Sequence, residues 1–350
     1  MNSSMRRISE IMGHIPKGKG NWFFGTSGKT SFVGSALLLL VLCFVDYLSP
    51  DGAIVPPYFK HILFSCLLYA LLALSLNLVS GYVGQLSLGH AAFFGIGAYM
   101  TGVLVKFEGF NFWVTIPLGM VAAALAAMPL AAAATRVRGA FLVVITYGFS
   151  EVLRYVALNT DALGGSAGMP GIKAPTLFGT SFSRLGPSGK EAWVLTAFLL
   201  VAALSFFMER IEDSRIGYAL SAIREDEIAA VAMGINTAYY KTLAIVLSAF
   251  FCGVAGSLQA GYATFISPEL FSSTQSILIL TMVIVGGPRS VKGSILGAAL
   301  MTILPEIFHS VKDVFKLSVD PWMILYGFIL IVMMRYRPQG FWGKTSVLTK

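Results

Sequence analysis

Long hydrophobic runs separated by short polar stretches dominate this 350-residue chain. Continuous apolar runs of about 18 or more residues are long enough to cross the ~30 Å hydrocarbon layer of a membrane as helices. Backbone polar groups must be paired inside lipid, so the pattern predicts an all-α, polytopic transmembrane bundle of about 8–10 crossings. The ten runs lie at about 32–49, 61–79, 88–105, 112–134, 140–158, 192–208, 242–262, 275–287, 293–311 and 322–335.

Two of these runs differ from the others. Run 275–287 is too short to cross alone and could be a re-entrant or broken helix buried in protein. Run 88–105 is rich in glycine and could be irregular. A transmembrane β-barrel, the structural alternative, requires alternating rather than continuous hydrophobicity. The helical bundle is therefore the preferred architecture.

Composition and charge support a membrane protein and give it an orientation. The chain is 56% hydrophobic and 12% charged, against roughly 25% charged residues in soluble domains. If all ten runs cross, 17 lysines and arginines fall on one side and 7 on the other. The basic side is expected to be cytoplasmic, with both termini inside. This excess accounts for the net charge of +8, so the expected partner is the lipid bilayer and no nucleic acid is needed.

The pattern divides the chain into a cytoplasmic N-terminal tail 1–31, a transmembrane domain 32–336 and a cytoplasmic C-terminal tail 337–350. The outer loop 159–190 is rich in Gly, Pro and Ser, and is either a lid or docking surface or an ordinary connection. The cytoplasmic loop 209–241 carries ten charges in 33 residues. Such a polar segment in so apolar a chain predicts a helical docking site for a soluble partner.

Nucleotide binding and catalysis find no support in the sequence. Residues 27–30 resemble the end of a phosphate-binding loop, but Phe23 stands where that loop requires glycine. If ATP drives this protein, another subunit must bind it. The four histidines lack metal-ligand spacing, and no catalytic grouping can be defended. We therefore expect no catalytic residue, metal or cofactor, although an enzyme such as an intramembrane protease stays an alternative.

Small and polar residues inside the runs give two further expectations. Run 242–262 carries small residues at four-residue spacing, which favours close helix packing and a central position. Polar residues at membrane depth are costly and tend to face a cavity or a partner. Glu151 with Arg154, and Glu306 with His309, are three apart and can meet on one helix face. The candidate translocation-path residues are Asn77, Gln85, His90, Glu151 and Glu306. The alternative is that they form structural ion pairs or hydrogen bonds between helices.

Two long motifs then suggest a family. Residues 77–99 read NLVSGYVGQLSLGHAAFFGIGAY, and residues 221–236 read SAIREDEIAAVAMGIN. Both resemble the branched-chain amino acid permeases of ABC importers, and so do shorter matches at 164–165, 266–269, 304–306 and 335–340. The matches cover about residues 61–343 in the expected order. The longer N-terminus and residues 87–94 resemble the LivM-like permease rather than its LivH-like partner.

The resemblance implies a permease subunit for branched-chain, hydrophobic amino acids in a bacterial inner (plasma) membrane. The subunit would form half of the translocation path. Its partners would be a second, LivH-like permease, two ATP-binding subunits that hydrolyse ATP, and a periplasmic substrate-binding protein. Two alternatives remain open: a urea or short-chain amide importer of the same permease type, and an ion-coupled secondary transporter using Glu151 and Glu306.

The resemblance also implies that loop 209–241 holds a coupling helix that enters a cleft of an ATPase subunit. In importers this helix reads Glu-Ala-Ala, three residues, then Gly. Ala229, Ala230 and Gly234 fit, whereas Ile228 occupies the place of the glutamate and Glu227 comes one residue early. The residues expected to couple to the ATPase are Arg224, Glu225, Asp226, Glu227, Ala229, Ala230 and Gly234.

One turn departs from the family pattern. Residues 286–290 read GGPRS, where relatives usually have Gly-Gly-hydrophobe-Gly. Pro288 and Arg289 are expected to stiffen this inner turn and to give it a charge.

Overall fold

The computed structural model describes residues 56–137, 139–177, 180–182, 189–315, 322–337 and 339–342. The predicted N-terminal tail 1–31, the first run 32–49 and most of the predicted C-terminal tail lie outside these residues. Within them the helices are α1 Pro57–Leu76, α2 His90–Lys106, α3 Phe112–Ala134, α4 Ala140–Asn159, α5 Glu191–Glu212, α6 Arg215–Glu225, α7 Glu227–Ala232, α8 Thr237–Ala263, α9 Ser273–Gly286, α10 Val291–Phe315 and α11 Trp322–Tyr336.

Each predicted run from 61–79 onward coincides with a helix, which confirms the all-α bundle. Five segments of the described chain are long and apolar enough to cross a membrane: Pro57–Val83, Phe112–Ala134, Phe141–Asn159, Glu191–Glu212 and Thr237–Ala263. α2 is a regular helix despite its glycines. α9 has only 14 residues, which at 1.5 Å per residue gives about 21 Å, too short to span the hydrocarbon layer alone.

α8 lies at the centre of the bundle, as its small residues predict. In its most apolar window 67% of the residues are buried, which is below the 78% of Pro57–Val83 but far above the 28% of α3 and the 22% of α4. A Cβ added to Gly253 would lie 2.8 Å from the carbonyl oxygen of Gly119 in α3. A Cβ on Gly256 would collide with the carbonyl oxygen of Phe94 in α2. Glycine therefore lets the backbones of α2, α3 and α8 touch where a larger residue would separate them.

The end of α1 is irregular. A π-helical turn, Asn77–Val83, continues α1, and Gly84 then adopts a left-handed φ of 78°. The chain runs without helix from there to α2 at His90. Such π-helical turns leave the regular i→i−4 ladder and are frequent at functional positions.

The segment between α4 and α5, which the sequence predicts as an outer loop, is joined to the bundle by one of its short strands. Strand β1 (Met169–Pro170) pairs antiparallel with β4 (Phe265–Ile266) in the α8–α9 connection, and β2 (Thr176–Leu177) pairs with β3 (Thr180–Ser181). A 3₁₀ turn, Pro268–Phe271, follows β4. Met169 and Ile266 are both buried. The loop is therefore joined to the α8–α9 connection by main-chain hydrogen bonds.

Candidate functional site

Loop 209–241 folds as two short helices between the ends of α5 and α8. The Ser214 hydroxyl begins α6 by accepting a hydrogen bond from the Gly217 N–H at 3.4 Å. The Asp226 carboxylate begins α7 by accepting from the N–H groups of Ile228 and Ala229 at 2.8 and 3.1 Å. Ser and Asp are preferred at such positions because their oxygens pair N–H groups that the helix leaves free. Asp226 is thus a helix cap, exposed at the surface.

Gly234 ends α7. Its φ is 84°, in the left-handed region that glycine adopts most readily. The Gly234 N–H donates to the Val231 carbonyl at 3.0 Å, and the Ile235 N–H donates to the Ala230 carbonyl at 3.0 Å. These bonds pair carbonyls at the end of the helix. Gly234, the glycine of the coupling-helix motif, is therefore explained by the left-handed backbone that ends α7.

The outer face of α7 is apolar and exposed. Ile228 is 71% exposed, Val231 54% and Met233 83%, and Ala229 is exposed beside them. Ala230, on the opposite side, is buried against the bundle. Clustered large hydrophobic groups at a surface mark interaction sites more often than scattered ones do. We call Ile228, Val231 and Met233 the α7 face.

Glu227 joins α7 to α8. Its Oε1 lies 2.6 Å from Nζ of Lys241, which is only 2% exposed. A buried ammonium group is costly unless an anion compensates it. Glu227 therefore fixes α7 on α8.

Arg224 points inward to the end of α1. One of its guanidinium N–H groups donates to the carbonyl of Gly81 in the π-helical turn. A Cβ on Gly84 would lie 2.8 Å from Cγ of Arg224, so the arginine stem packs directly on that glycine. Burial lowers the pKa of Arg224, and the nearby charge of Arg289 lowers it further, while Glu225 raises it. Two guanidinium groups thus lie close together at this junction.

Arg289 makes three contacts from the α9–α10 turn. Its backbone N–H donates to Oδ1 of Asn77 at 3.0 Å. Its guanidinium donates to Oγ of Ser221 at 3.2 Å and lies 3.6 Å from Oε1 of Glu225. We call Arg224 and Arg289 the arginine pair. Together they connect α6 with the end of α1 and with the α9–α10 turn.

The other predicted path residues are distributed along the bundle. Gln85 is half-buried, and its Oε1 has no hydrogen-bond partner among the described residues. His90 is buried, with Nε2 2.6 Å from Oγ of Ser248, whose hydroxyl donates to the Ser75 carbonyl. His90 thus joins α1, α2 and α8. Asn77, by contrast, accepts the hydrogen bond from the Arg289 backbone N–H.

The predicted carboxylates lie elsewhere. Glu151 is 3.6 Å from Arg154, as their spacing predicts, but Arg154 makes a shorter contact of 2.7 Å with Glu269 in the α8–α9 connection. Glu306 accepts a hydrogen bond from the Tyr58 hydroxyl at the start of α1. The side chain of His309 lies outside the described residues. These contacts tie helices and loops together, as the structural alternative for these residues expects.

Sequence reasoning missed the α7 face and the contacts of Arg289. Ile228 and Val231 are three apart in a polar loop, and that spacing was the available signal for the face. The departure at residues 288–289 pointed to Arg289, but its partners Asn77 and Ser221 are 212 and 68 residues away. No local pattern identifies such partners.

Comparisons with known proteins identify the family of the chain. The family model described as branched-chain amino acid transport system / permease component matches residues 58–334. The LivM permeases of Salmonella typhimurium and Escherichia coli are each 36% identical over 293 residues, covering 78% of this chain and 67% of theirs.

More distant similarity extends to other permeases. The LivH permease of Escherichia coli is 24% identical over 301 residues, covering 80% of this chain and 92% of its own. Among solved structures, an inward-facing ABC transporter of the metal-chelate type covers 87% of this chain and 97% of its own, at 20% identity and a TM-score of 0.39, too low to compare the folds. The family match over most of the described chain is decisive: the chain belongs to the permease-component family of branched-chain amino acid transport systems.

Proposed function

We propose that this chain is one of two permease subunits of an ATP-driven importer for branched-chain, hydrophobic amino acids. The family match and the LivM relatives support this assignment. The chain is a multi-pass membrane protein and a transport subunit rather than an enzyme. In the proposal it lies in the inner membrane of a bacterium, with loop 209–241 in the cytoplasm.

The proposal includes separate partners for the energy and for substrate delivery. Two ATP-binding subunits would hydrolyse ATP, since the sequence carries no complete phosphate-binding loop. A LivH-like subunit would form the other half of the path, and a periplasmic binding protein would deliver substrate. The 24% identity to LivH over 80% of this chain supports a LivH-like subunit as its counterpart.

The exposure of the α7 face is the main support for a role of this loop in coupling to an ATPase subunit. It presents three large apolar side chains on a loop otherwise rich in charge, and it fits an apolar cleft in an ATPase subunit. Glu225, Asp226 and Glu227 support it by ion pairing and capping, and Ala229, Ala230 and Gly234 shape it.

Movement of α7 would reach the membrane through the arginine pair. When ATP binding draws the ATPases together, α7 and α6 move with them. Arg224 then pulls on the π-helical turn of α1, and Arg289 passes the movement to the α9–α10 turn. Alternating access would result from rocking of the two permeases about their shared path.

Reconstituted transport tests the proposal. The complete transporter is placed in proteoliposomes with ATP inside and the binding protein with radiolabelled leucine outside. We expect uptake that requires ATP. Val231→Asp should abolish it while the protein still inserts, because a carboxylate on the α7 face cannot enter an apolar cleft. Tyr218→Asp, on a still more exposed site of α6 (Tyr218 is 70% exposed), should keep uptake.

The same preparation separates the alternatives. Uptake of urea or short-chain amides in place of leucine would overturn the substrate class. Uptake driven by an ion gradient without ATP would overturn the importer assignment. Normal ATP-driven uptake by Val231→Asp would overturn the coupling role of α7.

A further inference from the structure

A cavity of about 370 Å³ lies between the outer halves of α1 and α8, beside the start of α9. One residue of α2 and one of the 3₁₀ turn complete its wall. Ligand pockets span roughly 300–1,000 Å³, so this volume suits a small molecule. The lining residues are His61, Phe64, Ser65, Leu68, Tyr69, Phe94, Gln259, Tyr262, Ala263, Leu270 and Gln275.

The lining is divided between an apolar wall and uncharged polar groups. Phe64, Leu68 and Phe94 supply the apolar part, while Gln259 and Gln275 supply amides. None of the eleven residues is an aspartate, glutamate, lysine or arginine. A ligand with a net charge would therefore find no oppositely charged aspartate, glutamate, lysine or arginine in the lining, which disfavours its binding. The chemistry favours a ligand that is polar at one end, apolar at the other and neutral overall.

The polar groups retain unused hydrogen-bonding capacity. The Tyr69 hydroxyl lies 3.4 Å from Oε1 of Gln275, well beyond the usual 2.7–2.8 Å for such a bond. Among the described residues, neither the Gln275 amide nitrogen nor the Gln259 side chain has a hydrogen-bond partner. Each amide can donate to a carboxylate through its nitrogen and accept from an ammonium group through its oxygen.

Aromatic packing holds one wall in place. The rings of Phe64 and Tyr262 stack with centroids 3.9 Å apart, and Trp193 packs edge-on to both at 6.2 and 5.8 Å. The Tyr262 hydroxyl also lies 2.8 Å from Nδ1 of His61. This wall of the cavity is therefore preformed.

We propose that this cavity is a binding site, within the single subunit, for one zwitterionic amino acid with a branched apolar side chain. The amides of Gln259 and Gln275 bind the ammonium and carboxylate groups, and the side chain packs on Phe64, Leu68 and Phe94. The inference rests on the proposed function and deepens it: the permease itself contributes to substrate selection, beside the external binding protein.

Direct binding to the transporter tests the site. The purified complex of both permeases and both ATPases, without binding protein, is titrated with radiolabelled leucine in a scintillation proximity assay. We expect saturable binding. Gln259→Leu keeps the volume but removes the amide, and should weaken leucine binding at least tenfold and raise the KM of uptake. Ser65→Phe fills the cavity and should abolish binding.

A matched variant and a folding readout complete the design. Val144→Phe enlarges a residue that is exposed on α4 and should bind leucine as the wild type does. Assembly of the complex and its basal ATPase rate show that each variant is folded. A neutral apolar competitor such as isoleucine should displace the label, whereas lysine and glutamate should not.

The outcomes distinguish this site from the proposed function. If the wild type imports leucine but its complex binds none, or if Gln259→Leu and Ser65→Phe bind normally, the cavity proposal is overturned and the importer stands. If the wild type with ATP and binding protein imports no leucine, the proposed function itself fails. A lipid chain in the cavity that leucine does not displace would also overturn the site.

Discussion

The backbone N–H of Arg289 donates a hydrogen bond to the side chain of Asn77, 3.0 Å away and 212 residues earlier in the chain. Asn77 is the first residue of the π-helical turn, and Arg289 lies in the turn between α9 and α10. One side chain thus holds together two irregular segments that belong to different helices. This contact also lies next to α6, since the Arg289 guanidinium donates to Oγ of Ser221 there.

Replacing Asn77 tests the structural value of this bond. Asn77→Leu leaves the Arg289 N–H without its acceptor at a partly buried position, at a cost of up to about 1–3 kcal/mol. We expect a lower unfolding temperature of the purified protein in detergent. Asn77→Asp keeps an acceptor at the same position and should be less destabilised. Equal stability of Asn77→Leu and the wild type would contradict the importance of this bond.

Arg289→Gly tests the arginine pair. Arg289 has a φ of 64°, a left-handed conformation that costs roughly 1–2 kcal/mol for a residue with a side chain. Glycine relieves that strain but removes the contacts with Ser221 and Glu225. We therefore expect little net change in unfolding temperature and a fall in leucine transported per ATP hydrolysed. An unchanged transport ratio would show that the arginine side chain has no part in coupling.

The ion pair of Glu227 and Lys241 predicts that removing Glu227 alone destabilises the protein more than removing both charged groups. Glu227→Ala leaves an uncompensated ammonium on Lys241, which is buried, and should cost about 1–3 kcal/mol. That is less than the 3–5 kcal/mol typical of fully buried pairs, because Glu227 is 21% exposed. Adding Lys241→Met should restore most of the loss. Chemical denaturation of both single variants and the double variant measures the coupling, and simple additivity would contradict it.

The close backbone contacts at the centre of the bundle predict that position 256 tolerates no side chain larger than that of glycine. Gly256→Ala places a methyl group against the carbonyl of Phe94 and should separate α2 from α8. We expect poor yield of folded protein and a lower unfolding temperature. Gly148→Ala is the matched control, because no atom lies within 4 Å of its added Cβ. Alanine favours a helix by up to about 1 kcal/mol over glycine, so this control should be at least as stable as the wild type.

Helix positions could be predicted from the sequence because each apolar run must satisfy its backbone internally, and that requirement is local. The small-residue pattern of α8 also predicted its central position, since close packing in lipid depends on residue size. The contacts of the charged residues could not be predicted. Arg224 and Glu227 were expected to contact an ATPase, and their partners Gly81 and Lys241 lie inside this chain.

The same reason explains why the α7 face was missed. Motif reasoning favoured the polar residues of loop 209–241, because charge is conspicuous in an apolar chain. Asp226 caps the helix and Glu227 pairs with Lys241, and the large apolar side chains that remain exposed are Ile228, Val231 and Met233. Which side chains face outward depends on how the helix is anchored, and the anchoring partners are distant in sequence.

The pairing of β1 with β4 has a practical consequence for spectroscopy. The Ile172 N–H extends this pairing by donating to the Thr264 carbonyl at 3.3 Å, and Lys173 follows at the surface. A spin label or fluorophore attached through Lys173→Cys would therefore travel with the C-terminal end of α8 instead of sampling a free loop. Distances measured from it during turnover would report the displacement of the bundle.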